Sequence, residues 1–374
     1  MEASAMKIER IVTTRIALPL RRPHRLAMAT LTDHDMLIVQ LFTDEGIAGL
    51  GEVSIIPHYG AETPGTVQHI IDACLVPALA GADPRNLMQI HARMDAAIPG
   101  HAYAKAALEM ACLDCAGRAL GVSVATLLGG ALRQRMPALW VLGHGEARRD
   151  IEEAQSLLES RSHRLFLVKV GKGEPAENVR RALDIKQALG EHASVRVDAN
   201  QGWDEATASW CIERLEAGGI DAVEQPVPAW NRAAMQRLAA RFTVPIMADE
   251  AVCTLQDAMA FAGEAAADAF SIKVSKHGGL MRARQVATVA EAAGVSLFGG
   301  TMLEGGIGTS ACAQLFATLP SLAWGCQLFG PRLLKDDVAC APVSYDAFDL
   351  VLGDSVGLGV EIDPDKLRFY QVPR

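Results

Sequence analysis

Four short apolar runs decide how this chain folds: LFLVKV at 165–170, SVRVDA at 194–199, DAVEQP at 221–226 and VPIMAD at 244–249. They carry Lys169, Asp198, Glu224 and Asp249 at or near their ends. Between them the apolar residues recur at three- and four-residue steps, the spacing of amphipathic helices. Working outward, ALWVL (138–142) precedes them, and DAFSIKV (268–274), VSLFGG (295–300) and LAWGCQLF (322–329) follow. Reference residues 169, 198, 224, 249, 273, 298 and 327 stand 29, 26, 25, 24, 25 and 29 apart. A strand–helix unit repeating at this length predicts an alternating parallel architecture, and eight runs predict a closed barrel. A doubly wound sheet is the alternative, but no glycine-rich dinucleotide fingerprint follows any run.

The first third reads differently. KIERIVTTRIAL (7–18) suits a strand, and DMLIVQLFTDEGIAGLGEV (35–53) suits two strands joined by a turn at Asp44–Gly46. RRPHRLAMATLTD (21–33) and SIIPHYGAETPG (54–65) read as loops, and residues 66–128 as helices. The expected organisation is an α+β domain over residues 1–130 and a barrel over 131–344, with the tail 345–374 returning to the first domain.

Composition narrows the function. The chain has 374 residues, half of them hydrophobic, and a net charge of −9 without a long basic run, which argues against nucleic-acid binding. There is no 18-residue apolar stretch to suggest a membrane span. Charged residues interrupt the first twenty positions, so no secretory signal is expected. Of eight scattered cysteines, only Cys112 and Cys115 form a CxxC, and they lie in a helical pattern. Buried thiols in a reducing cytoplasm are the expectation.

Asp198, Glu224 and Asp249 carry the chemistry. One acid at a strand end is most simply a helix cap. Three at nearly even spacing would converge in the mouth of a barrel and repel one another unless protonated or bridged by a cation. An all-oxygen set favours Mg²⁺ or Mn²⁺. Lys169 and Lys273 lie in apolar strands on either side of the acids, where a lysine needs a reason to be desolvated. They would reach a substrate from opposite faces, or pair with the acids, or both.

These residues resemble the enolase superfamily, and within it the muconate lactonizing (muconate cycloisomerase) subgroup. RPHRLAMATL, AYAKAALEMACLDCAGRALG, SVRVDANQGWDEA, VEQPV, IMADEAV, SIKVSKHGG, LFGGTMLEGGIGT and QLFGP carry the likeness, which covers residues 7–365. The resemblance implies a modified (β/α)7β TIM-type barrel closed by an N-terminal α+β capping domain. It implies Mg²⁺ or Mn²⁺ on Asp198, Glu224 and Asp249, and a small carboxylate substrate processed through a metal-stabilised enolate. Lys169 would be the acid/base, and Lys273 a stabilising cation or second base. A cytoplasmic homo-oligomer, an octamer, is also implied. The first reading is a cycloisomerase of a cis,cis-muconate-like dicarboxylate. Epimerisation or dehydration of a small carboxylate or amino-acid derivative is the second, and a non-catalytic metal-binding barrel the third.

Two positions depart from the subgroup. Its second-strand Lys-x-Lys is Leu167-Val168-Lys169 here, and its eighth-strand acid is Gln327. One change removes a cation and the other an anion, so the pair would leave the local charge unaltered. His277 stands where the subgroup often has Asn, either a loop residue or an added acid/base. Arg25, Ile55, Tyr59, Asn200 and Gln327 are the expected substrate contacts, with His24 and His58 further candidates from the capping loops.

Overall fold

Three antiparallel strands open the chain: β1 (Ile8–Arg25), β2 (Thr30–Thr43) and β3 (Ala48–Ser54), paired in that order. The computed structural model describes residues 6–25, 30–56, 59–60, 62–341 and 343–372. The segment read from sequence as a loop at 21–33 is partly strand. Pairing resumes at His24–Leu31 and Arg25–Thr30 after an irregularity that begins at Pro19. Prolines at 19 and 23 and the run of arginines hide that extension, because proline lacks the amide that advertises a ladder.

The buried face of this sheet lies on the helix Ala102–Leu120. Gly49 and Gly51 let the two come together. A Cβ on Gly51 would sit 2.0 Å from the Ala107 carbonyl oxygen, and one on Gly49 2.1 Å from that of Ala111. Asp114, buried on the same helix, accepts from the backbone N–H of Leu50 (2.9 Å) and Leu358 (2.8 Å) and from Arg118 Nε (3.0 Å). One carboxylate thus ties the helix to the sheet and to the C-terminal segment, which also bridges β1 through Ile16 and Gln371. Cys112 and Cys115 are buried free thiols in this helix. Burial pushes Cys115 up to about 12, so neither invites metal or redox chemistry.

After β4 (Arg135–Pro137) come seven short parallel strands: β5 (Leu139–Leu142), β6 (Leu165–Lys169), β7 (Ser194–Asp198), β8 (Val223–Glu224), β9 (Ile246–Ala248), β10 (Ala269–Ile272) and β11 (Ser296–Gly299). They lie side by side in chain order, with helices between them. The eighth apolar run supplies no ladder of its own. Cys326 alone bridges Ala138 on one side and Gly299 on the other, closing the ring between β5 and β11. The fold is a capped TIM-type barrel, with seven strands and a one-residue seam where eight similar strands were expected. A small antiparallel sheet joins β4 to β12 (Ser344–Asp346) and β13 (Asp349–Val351) in the order β12–β13–β4.

The capping sheet grips the loop that follows β11. Glu52 on β3 accepts from the N–H groups of Gly305 (2.6 Å) and Gly308 (3.1 Å), and Asp337 from that of Gly306 (2.7 Å). These amides open the helix Gly306–Thr318, whose first turn favours negative charge. Burial, followed by the nearby Asp337, pushes the Glu52 carboxyl up to about 8. His34 on β2 meets the Met302 carbonyl oxygen through Nε2 at 3.1 Å.

His34 gives the fold an acid limit. Burial pushes its imidazole down to about 4, against the opposing pull of the Met302 carbonyl. An unfolded chain protonates this histidine near 6.5, so between about pH 6.5 and 4 the unfolded state binds the extra proton. Stability from this site is therefore complete above pH 6.5 and is lost as pH falls towards 4. Thermal unfolding should show Tm dropping over that window. His34→Gln, which keeps a donor for Met302, should flatten the drop; an equally steep profile in the variant would count against His34.

Candidate active site

The strand ends place Lys169, Asp198, Glu224, Asp249 and Lys273 around one mouth, each carried by a different strand or by the residue following one. Lys169 Nζ donates to Asp198 Oδ2 at 2.5 Å and to Asn200 Oδ1 at 3.0 Å. Across the mouth, Lys273 Nζ donates to Asp249 Oδ2 at 2.5 Å and to the Tyr59 hydroxyl at 2.8 Å. Tyr59 in turn donates to Asp249 Oδ2 at 2.8 Å. The pairing of lysines with acids is therefore realised, one lysine to each outer acid.

Glu224, between them, is buried, and its carboxylate accepts no hydrogen bond from any described residue. Burial first, and then the charges of Asp198 and Asp249, push its carboxyl well above the usual range. Burial would also raise Asp249, but the ammonium groups of Lys273 and Lys276 overcome it and hold the carboxyl well below the usual range. Lys273 shows the converse: its acidic neighbours outweigh burial and raise it.

Among the described residues, no three His, Cys, Asp or Glu side chains are grouped closely enough to form a ready-made cation cage. The donor set nevertheless suits a hard cation. Glu224 is an unbonded buried carboxylate flanked by two others, and a divalent ion would remove the repulsion that raises it.

The backbone bends sharply here. Asn200 (φ 42°), Gln201 (68°), Gln225 (36°) and Leu303 (65°) all adopt left-handed conformations just beyond strand ends. Non-glycine residues in that region are uncommon and concentrate where a fold must aim side chains. Gln225 shows the purpose. Its Oε1 accepts from the N–H groups of Asp249 (2.9 Å) and Ala251 (3.1 Å), fixing the end of β9.

A cavity of about 30 Å³ lies against these groups, lined by His24, Ile56, Tyr59, Lys169, Asp198, Asn200, Lys273, Thr301, Leu303 and Gln327. Of the expected contacts, Tyr59, Asn200 and Gln327 are present. Ile55 is not; it packs into the core while its neighbour Ile56 takes the lining position. The backbone of Arg25 pairs with Thr30, but its side chain and the whole of His58 lie outside the described residues. Leu167 is buried and in register with Arg196 on β7, off the cavity wall. His277 is turned to the Cys253 carbonyl oxygen (2.8 Å), and burial pushes it down to about 3; it too is absent from the wall.

Three participants escaped the sequence reading. Lys276 is buried and donates to the Asp249 carbonyl oxygen (2.5 Å) and to Oδ1 (2.8 Å). Glu250 accepts from Asn200 Nδ2 (3.1 Å). Burial and then Asp249 push its carboxyl up to about 7. Gln225 is the third. Each follows a recognised site residue by one to three positions, and that adjacency was the available signal.

A capped parallel barrel presenting three acids and two opposed lysines from successive strand ends is the architecture of the enolase superfamily. Residues 8–129 match the mandelate racemase / muconate lactonizing enzyme N-terminal domain, and residues 149–366 match the enolase C-terminal domain-like family. The chain belongs to the mandelate racemase / muconate lactonizing enzyme family. It is 44% identical over 367 residues to a chloromuconate cycloisomerase of Cupriavidus necator, covering 98% of this chain and 99% of that one. To muconate cycloisomerase 1 of Pseudomonas putida it is 41% identical over 353 residues, 94% of each chain. The muconate lactonizing enzyme of Pseudomonas fluorescens, solved with muconolactone, superposes with a TM-score of 0.97 at 43% identity, covering 98% of this chain and 100% of that one. No described helix is long and apolar enough to cross a membrane.

Lys276 should matter through Asp249. Lys276→Met removes one partner of a buried charge and should cost about 3 kcal/mol in urea-induced unfolding. In an Asp249→Asn background the same change should cost much less. Equal penalties in both backgrounds would show that Lys276 acts elsewhere.

Proposed function

We propose that this enzyme is an intramolecular lyase, a cycloisomerase of a cis,cis-muconate-like dicarboxylate, with Lys169 as its acid/base. The carrying observation is that Lys169 and Lys273 line one cavity from opposite sides, each held against a different strand-end acid. In the forward direction, one substrate carboxylate oxygen adds to the conjugated double bond. The displaced electron pair moves towards the other carboxylate as an enolate, and Lys169 delivers a proton to its α-carbon. The sum is an isomerisation: one C–O bond and one C–H bond form, and the proton comes from the lysine, which is later reloaded from solvent. Lys273 faces the developing negative charge and stabilises it as it appears, which accelerates the step more than it tightens substrate binding.

Asp198, Glu224 and Asp249 would hold the divalent ion, Mg²⁺ or Mn²⁺. When bound, it supplies positive charge against the enolate oxygens. Lys169 is held by Asp198, and its leaving Asp198 for the substrate is the movement the chemistry needs. An epimerase or dehydratase would use the same two lysines. The named activities of the relatives, chloromuconate and muconate cycloisomerases, favour ring closure of a dicarboxylate, with chlorinated substrates among the candidates.

Turnover of cis,cis-muconate, its chlorinated forms and a panel of amino-acid derivatives tests the reading. Activity on the derivatives alone would replace it. Lys169→Ala should lower kcat by roughly 10²–10⁴-fold, the usual effect of losing a general acid/base. Should Lys273→Ala cost more than Lys169→Ala, the two roles are reversed. Asp249→Asn should abolish turnover in a folded protein, and chelation should silence the wild type reversibly. Full turnover after thorough demetallation would rule out the cation site.

A further inference from the structure

Nearly every polar side chain on the cavity wall is already engaged. Lys169 and Lys273 hold Asp198 and Asp249, Asn200 bridges Lys169 and Glu250, and Tyr59 binds Asp249. Thr301 Oγ1 donates to Glu304 and accepts from the Leu303 N–H. His24 and Gln327 are different. His24 is 1% exposed, and its Nδ1 has no hydrogen-bond partner. Gln327 is also buried, and its amide bonds to no described residue.

We propose that His24 and Gln327 form the recognition end of the pocket, a neutral hydrogen-bonding pair that receives the distal carboxylate of the substrate, the one whose oxygen closes the ring. The proposal rests on the cycloisomerase reading and specifies how that enzyme would choose its substrate. The reactive half of the substrate belongs with the lysines and acids. Its other carboxylate, once desolvated, needs hydrogen-bond donors. Among the described residues, this pair has them to offer.

Neutrality has a catalytic reason. The attacking carboxylate loses its charge as it becomes a lactone oxygen. A fixed cation beside it would stabilise the ground state more than the transition state and so slow closure. Neutral donors can orient the nucleophile without that penalty. The imidazole of His24 suits the role. Burial first, and then the charges of Lys169 and Arg22, push it down to about 3, so it is uncharged at working pH. Arg22 itself binds the Val141 carbonyl oxygen through Nη2 (3.0 Å) and Glu153 through Nε (3.3 Å); its Nη1 is unpartnered, but Arg22 is not on the cavity wall.

The test compares direct binding, by isothermal titration calorimetry on the metal-loaded enzyme, of two inhibitors: a saturated dicarboxylate and the monocarboxylate lacking its distal group. Wild type should prefer the dicarboxylate. His24→Ala and Gln327→Met should each weaken the dicarboxylate roughly 3–10-fold, the span of one lost neutral hydrogen bond, and leave the monocarboxylate unchanged. Gln327→Glu keeps the side-chain shape but adds an anion. It should weaken the dicarboxylate by more than about tenfold with the monocarboxylate again unaffected. An unchanged preference in Gln327→Glu, with Tm near wild type, would overturn the proposal. So would a preference abolished by Arg25→Ala and untouched by the His24 and Gln327 variants, since a cation would then be reading the distal group. Absence of turnover on any dicarboxylate would sink the cycloisomerase reading separately, because the inhibitor ratio is measured by binding.

Discussion

Acidic and basic side chains share a space almost sealed from water at the mouth of the barrel, and much of the molecule is arranged to make that tolerable. Asp198, Glu224, Asp249 and Glu250 are all buried there, with Lys273 and Lys276 buried beside them and Lys169 largely so. Desolvating a charge is expensive unless it is paired and hydrogen-bonded. Asp249 is satisfied fully: two lysines and a tyrosine donate to its carboxylate, and its own N–H donates to Gln225 Oε1. Glu224 is not, and a cation held there would relieve the imbalance between these neighbouring acids.

The cap is part of this solution. Tyr59 reaches Asp249 and Lys273 from the capping domain, and His24 and Ile56 complete the cavity wall. Less directly, Glu52 and His34 hold the loop after β11, so the left-handed Leu303 and its neighbour Thr301 are presented to the cavity. The glycines at 49 and 51 matter for the same reason. By letting β3 lie directly on its helix, they set the depth from which Glu52 reaches across.

The barrel was legible because its unit is local: a short apolar run, a charged end and a helix, repeated at an even period. That logic misled where the pattern persists without the ladder, at Cys326, where prolines mask a real one, in β1, and where the tail pairs with β4 instead of the first domain, in β13. The five charges that meet at the barrel mouth were visible as charges that apolar strands do not ordinarily carry. Lys276, Gln225 and Glu250 were not, since each sits after the strand, where polar residues are unremarkable. Their inward aim depends on left-handed turns and on a short helix at Val274–His277 that sequence periodicity does not report. Ile55 and Ile56 illustrate the finer limit. Both adjacent residues pack in the core, and only Ile56 also lines the cavity.

The leucine at 167 makes physical sense only once its neighbour is seen. In register with it on the adjoining strand stands Arg196, and residues paired this way in a parallel sheet share a face. Arg196 lies over the rings of Phe298 (5.3 Å) and Trp324 (4.9 Å). Its Nε and Nη1 are without hydrogen-bond partners. Burial pushes it down to about 10, with Glu224 opposing, so it still carries its charge. A delocalised guanidinium stacked between aromatic rings tolerates such a place better than an ammonium would. A lysine at 167 would set a second cation directly beside it, two strand positions beneath Lys169. With leucine there, Arg196 has an apolar partner in register, and Lys169, Lys273 and Lys276 lie with the acids. With no lysine at 167 to balance, an acid at 327 would add an anion to a wall whose cations are already paired.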